Sequence, residues 1–115
     1  MKRGEIWWTS MAEPQGSEPG YRRPVVIVSA NAFNESNIQT VIVVIITSNI
    51  RLAEAPGNFK LAKSKSGLSS DSVVNVSQIV TLDKSFLTEK ISRLSSRQIN
   101  LLDVGIQLVL GIQKI

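Results

Sequence analysis

The 115 residues contain no cysteine and no histidine. The first absence excludes a disulfide framework and any thiolate metal site. The second excludes paired-histidine acid–base catalysis, Ser-His-Asp and Cys-His triads, and imidazole-held metals. Any catalysis must therefore use arginine, lysine, carboxylates, hydroxyls, tyrosine or backbone amides. Aromatic residues are scarce: Trp7, Trp8, Tyr21, Phe33, Phe59 and Phe86. So few rings suggest neither an extended base-stacking surface nor the aromatic groove of a peptide-binding module. The longest apolar run, Val41 to Ile46, is far shorter than the roughly 20 residues of a membrane helix. The first residues lack the apolar region of a secretory signal. A cytoplasmic protein with no membrane partner is expected. There are no repeats or linkers, and the length suits one domain that buries a core without metals.

Positive charge is what the chain has in excess, with a formal net charge of +4. Lys60, Lys63 and Lys65 cluster, with Arg51 nearby and only Glu54 to offset them; Arg22 and Arg23 form a second basic spot. Such an excess favours an acidic or polyanionic partner. Two segments give it a setting. In Arg22-Arg23-Pro24-Val25-Val26-Ile27-Val28, Pro24 fixes its own φ and biases Arg23 towards an extended conformation. In Val41 to Ile46 followed by Thr47-Ser48-Asn49, six β-favouring residues read as a strand buried on both faces. Each segment thus sets a polar group at the tip of an apolar strand. A guanidinium and a hydroxyl held this way suit phosphate recognition and the stabilisation of developing phosphate charge. Structurally, the same residues are also ordinary strand ends.

The remaining pattern is mainly β with a C-terminal helix. Strands are expected at Gly4 to Thr9 (Ile6 and Trp8 on one face, Trp7 on the other), Tyr21 to Ser29, Thr40 to Thr47, Asn58 to Ala62, Ser72 to Leu82 and Glu89 to Leu94. Val74, Val76 and Gln78 alternate with Val73, Asn75 and Ser77, as in a half-buried strand. Ala12 to Gly20, with Pro14, Gly16, Pro19 and Gly20, reads as a loop. Ser95-Ser96-Arg97-Gln98 matches a capping box that opens a helix over 96–112. Ile99, Leu102, Ile106, Val109 and Leu110 fall on one side of that helix, and Leu101, Val104, Leu108 and Ile112 on the other. A helix apolar on two sides is normally buried on two sides, and a small domain covers only one. A small, strongly bent antiparallel barrel with a subunit interface on its helix follows.

The order of several short blocks adds a resemblance. Lys2-Arg3-Gly4-Glu5-Ile6-Trp7-Trp8, Gly16-Ser17-Glu18, the Arg22 to Val28 segment and Ile46-Thr47-Ser48-Asn49-Ile50 come first. Gly67-Leu68, Asp71-Ser72-Val73, Gln78-Ile79, Asp83-Lys84 and Leu87 follow. From about Lys2 to Ile112 the series resembles the MazF/PemK family of toxin endoribonucleases. The resemblance implies one toxin domain over 1–115, folded as an SH3-like barrel with a C-terminal helix and assembled as a homodimer. It implies sequence-specific cleavage of single-stranded RNA without a metal or other cofactor, silenced by a MazE-like antitoxin. The RNA 2′-OH attacks the adjacent phosphorus and leaves a 2′,3′-cyclic phosphate. Arg23 and Thr47 stand at the family's catalytic positions. Ser17, Glu18, Arg22, Ser48, Asn49 and Gln78 are expected to bind substrate. Glu18 is a candidate for the base, and equally a solvated loop acid. Two departures stand out: Val80, where many members carry Arg, and Glu18-Pro19-Gly20, where Glu-Gln is frequent.

A relative of the same fold, the non-catalytic gyrase poison CcdB, is the alternative. It carries functional Trp-Gly-Ile residues at its C-terminus, whereas this chain ends Leu110-Gly111-Ile112-Gln113-Lys114-Ile115.

Overall fold

The computed structural model describes residues 1–10 and 22–112. The expected loop over 12–20, with Ser17 and Glu18, lies outside them. Every apolar, β-branched stretch read from the sequence forms a strand. These are β1 (Glu5–Ser10), β2 (Arg22–Ile27), β3 (Thr40–Thr47), β4 (Phe59–Leu61), β5 (Ser72–Asp83) and β6 (Leu87–Arg93). They build one six-stranded antiparallel sheet in the order β4-β5-β3-β2-β1-β6. The connections hold two short helices, α1 (Asn31–Glu35) and α2 (Lys63–Ser66), and two 3-10 turns, Ile50–Glu54 and Lys84–Phe86. The chain closes on α3 (Ser96–Leu110).

The sheet curls into a half-barrel, so both faces of its central strands are covered. Val44 and Ile46 of β3 join Ile6, Val26, Val74, Val76, Leu94 and Leu102 in the main core. Val41, Val43 and Ile45 join Val25, Ile27, Leu82 and Leu87 in a second core. This is the two-sided burial expected of the Val41 to Ile46 run. Trp8 packs against the first core and Trp7 against the second, as the alternation in β1 implies. The half-barrel is not sealed by strand pairing, because β4 and β6 are the sheet's two edges. Instead α2 reaches β6, where Ser92 Oγ donates to the Ser66 carbonyl.

β5 departs from the half-buried strand expected of it. Ser72 through Val76 are all buried. Val74 and Val76 enter the main core. On the other face Asn75 Oδ1 accepts from Asn58 Nδ2, which also holds the Leu52 carbonyl of the 3-10 turn. Further along, β3 partners jump from Ile79 at Val44 to Asn75 at Ile45, so the intervening residues bulge out of the ladder.

α3 begins with the expected capping box: Ser95 Oγ accepts from Gln98 N, and Gln98 Oε1 accepts from Ser95 N. Leu102 is fully buried, and Ile99 and Ile106 pack beside it. Val109 and Leu110, expected on this same face, are instead exposed, because the sheet supports only the earlier turns of the helix. The opposite stripe is also uncovered: Leu101, Val104, Leu108 and Ile112 are 40%, 62%, 58% and 57% exposed.

Among the described residues, Glu5 is the most strongly perturbed acid. Burial pushes its pKa up, but hydrogen bonds from Lys2 N, Trp7 Nε1 and Lys90, with the Lys90 charge, outweigh this and lower it from 4.5 to about 2. Among the described residues, no helix is long and apolar enough to cross a membrane.

Candidate active site

The β2–β3 ladder pairs Val25, Val26 and Ile27 with Ile45, Val44 and Val43. Beyond the last pair, Val25 with Ile45, the two strands run on to Arg23 and Arg22 on one side and Thr47 and Ser48 on the other. All four line one cleft of about 280 Å³, with Trp8, Pro24, Ile46, Leu68, Ser69, Ser70 and Ser72. The two strand tips singled out in the sequence therefore meet at one place.

Both candidate catalytic residues are anchored through their neighbours. Thr9 on β1 is fully buried, and its Oγ1 donates to the Arg23 carbonyl at 2.9 Å. Pro24 restricts the backbone on the other side. The Arg23 side chain is half-buried. Thr47 Oγ1 accepts from Asn49 N at 3.1 Å, which orients the hydroxyl and leaves its hydrogen to donate.

Arg22 projects over Trp8, its guanidinium carbon 4.5 Å from the ring centroid. Its Nη2 donates to Glu89 Oε2 at 3.0 Å. Ser48 is exposed at the cleft. Two other expected substrate residues do not line the cleft. Asn49 caps the Ile50–Glu54 turn, its Oδ1 accepting from Arg51 N at 3.2 Å. Gln78 sits in the β5 bulge, exposed, its Oε1 accepting from Asn75 Nδ2 at 2.9 Å. Trp8, read from sequence as core or interface, has one side on the core and another on the cleft. The serines Ser69, Ser70 and Ser72 also line the cleft. In the sequence, Ser72 stands in the Asp71-Ser72-Val73 block, and Ser69 and Ser70 lie between it and Gly67-Leu68. Val80, in place of the family's frequent Arg, packs against the second core.

The cleft therefore offers two guanidiniums, several hydroxyls and an indole. These are donors and a flat apolar surface, a set matched to phosphate oxygens and nucleobases. Among the described residues, no group of three His, Cys, Asp or Glu could hold a metal.

Comparison with known proteins places the chain among relatives. Residues 2–110 match the family model described as PemK-like, MazF-like toxin of type II toxin-antitoxin system. Endoribonuclease MazF6 of Mycobacterium tuberculosis is 40% identical over 112 residues, covering 97% of this chain and 98% of the relative. Endoribonuclease MazF of Staphylococcus saprophyticus is 39% identical over 115 residues, covering 100% and 95%. A mycobacterial endoribonuclease solved in complex with its cognate antitoxin superposes with a TM-score of 0.78 at 23% identity, covering 100% of this chain and 99% of that one. With the family model spanning nearly its whole length, this chain belongs to the PemK/MazF family of type II toxin–antitoxin toxins.

Proposed function

We propose that this protein is an endoribonuclease toxin that cleaves single-stranded mRNA and is neutralised by a MazE-like antitoxin. The observation that carries the reading is the meeting of Arg23 and Thr47 at one cleft, in a chain about 40% identical to endoribonucleases over nearly its full length. Three tasks define the reaction: the 2′-OH loses a proton, the phosphorane's charge is stabilised, and the leaving 5′-oxygen gains a proton. Arg23 presents a planar fork of donors to the phosphorane oxygens and helps deliver a proton to the leaving oxygen. Thr47, oriented by the Asn49 amide, donates to a phosphate oxygen or aligns the 2′-OH. Arg22 and Ser48 hold the strand beside them. Glu18 is the candidate base from the segment outside the described residues. No step calls for a metal, and the product is a 2′,3′-cyclic phosphate.

The same reading extends to assembly, control and place of action. The exposed Leu101, Val104 and Leu108 stripe is the interface of a twofold dimer. An acidic and apolar antitoxin tail competes with RNA at the basic cleft. A toxin acting on mRNA works in the cytoplasm. The gyrase-poison alternative gains nothing, since both full-length relatives described are endoribonucleases. The deciding experiment incubates pure protein with long single-stranded RNA in EDTA and maps the new 5′ ends. Defined cleavage sites with 5′-hydroxyl and cyclic phosphate termini are expected. A strict Mg²⁺ requirement, or 5′-phosphate products, rules the mechanism out.

A further inference from the structure

Three residues on three adjacent strands form a unit beside the cleft. In the β1–β2 ladder Trp8 faces Pro24 and Ser10 faces Arg22, so Arg22 is the diagonal neighbour of Trp8 on the same sheet face. In the β1–β6 ladder Trp8 faces Glu89. Arg22 therefore lies across β1, over the indole at 4.5 Å, and ends on Glu89 at 3.0 Å. The Trp8 indole thus lies against the guanidinium, and Glu89 holds its Nη2. The Arg22 and Glu89 side chains are 56% and 65% exposed. A pair this exposed contributes little to stability. A carboxylate this close to an anion-binding cleft also repels RNA. The arrangement makes sense when Glu89 serves to hold the guanidinium flat.

From this geometry we infer that Trp8 and Arg22 form a stacking platform for one nucleobase of single-stranded RNA next to the scissile phosphate, with Glu89 as its positioning residue. The inference rests on the endoribonuclease reading and assigns the substrate's base a place within it. A guanidinium held against an indole keeps its outer face for a second flat partner, and unpaired bases stack on Arg planes and aromatic rings. Every base has such a face, so the platform supplies affinity without selecting base identity. Paired RNA keeps its bases stacked inside the duplex and does not use it.

The test uses the full chain carrying Trp7→Phe, which leaves Trp8 as the fluorophore. The probes are a 2′-O-methylated single-stranded RNA oligomer, which cannot be cleaved, and an abasic phosphodiester strand of equal length. The base-bearing strand should quench Trp8, and the abasic strand should not. Equal quenching by both, or by neither, overturns the platform. Steady-state cleavage by otherwise wild-type variants gives the second readout. Trp8→Ala and Arg22→Ala should raise KM about 10-fold, within the range for loss of one stacked base, with the loss falling on KM rather than kcat. Trp8→Phe should recover most of the affinity, and Arg22→Lys little, since an ammonium is not planar. Glu89→Gln should raise KM several-fold. If Glu89→Gln instead lowers KM, Glu89 competes with RNA for Arg22 and the positioning role is wrong. If Arg22→Ala lowers kcat at constant KM, Arg22 acts on the phosphate and the platform is wrong. Quenching by the base-bearing strand alone, in a protein whose wild type cleaves no RNA, would leave the platform standing and refute only the nuclease reading.

Discussion

At the scale of single residues, Arg23 and Thr47 are the proposed catalytic pair. Removing a preorganised donor from charge developing in a transition state reduces the rate by roughly 100-fold or more. Arg23→Ala should therefore lose at least that much cleavage while keeping wild-type circular dichroism. Arg23→Lys should recover little of it, because a point charge does not reproduce the fork. Thr47→Val keeps the β-branched shape and removes the hydroxyl. Impaired cleavage with near-normal RNA binding is expected, and full activity would reduce Thr47 to a strand end. Glu5 matters for stability instead. Its pKa is lowered from 4.5 to about 2 in the folded chain, so the unfolded chain binds a proton more readily. Its contribution is complete above about pH 4.5 and is lost as pH falls towards 2. At about 1.4 kcal/mol per pH unit the loss is on the order of 3 kcal/mol. Thermal melts from pH 5 down to pH 2.5 should fall less steeply for Glu5→Gln than for the wild type.

Among the elements, α3 shows propensity and packing pulling in opposite directions. Gly105 lies within the helix, where alanine is favoured over glycine by about 1 kcal/mol. A Cβ at Gly105, however, would stand 2.5 Å from the Gly57 carbonyl oxygen and 3.0 Å from Val76 Cγ1. Both the loop backbone and the core resist that intrusion. Gly105→Ala should destabilise the protein by about 1–3 kcal/mol, as overpacking does, measured by urea unfolding. A stabilised Gly105→Ala would mean the Gly57 turn yields freely. At the other end of α3, Ser95→Ala removes the capping hydroxyl and should lose about 1 kcal/mol.

On the scale of the whole molecule, the proposed dimer rests on the uncovered face of α3. Val104 and Leu108 are 62% and 58% exposed on one stripe, a poor surface for a lone protomer in water. Sedimentation at micromolar concentration should show a dimer, and Val104→Glu with Leu108→Glu should shift it to monomer without unfolding it. A wild-type monomer would sink the interface argument. Net charge acts at the same scale. At +4, association with an acidic antitoxin tail should slow as salt rises. An antitoxin fragment that inhibits without displacing RNA would show that control works by another route.

The sequence alone determined what depends on neighbours along the chain. The two-sided burial of Val41 to Ile46, the capping box at Ser95 and the extended Arg23-Pro24 step are all local, as is the exclusion of histidine and thiol chemistry. The family blocks were legible for the same reason, being contiguous stretches. Tertiary structure decided what depends on register between strands. It brought Arg23 and Thr47 to one cleft, carried Arg22 over Trp8 to Glu89, and left Asn49 and Gln78 lining no part of that cleft. It broke the period-two pattern of β5 with a bulge and covered the strand from both sides. It also decided that Val109 and Leu110 extend beyond the sheet, because the reach of a sheet under a helix is a property of the assembled strands. One-dimensional periodicity records which face a residue takes, and only strand pairing decides what stands across from it.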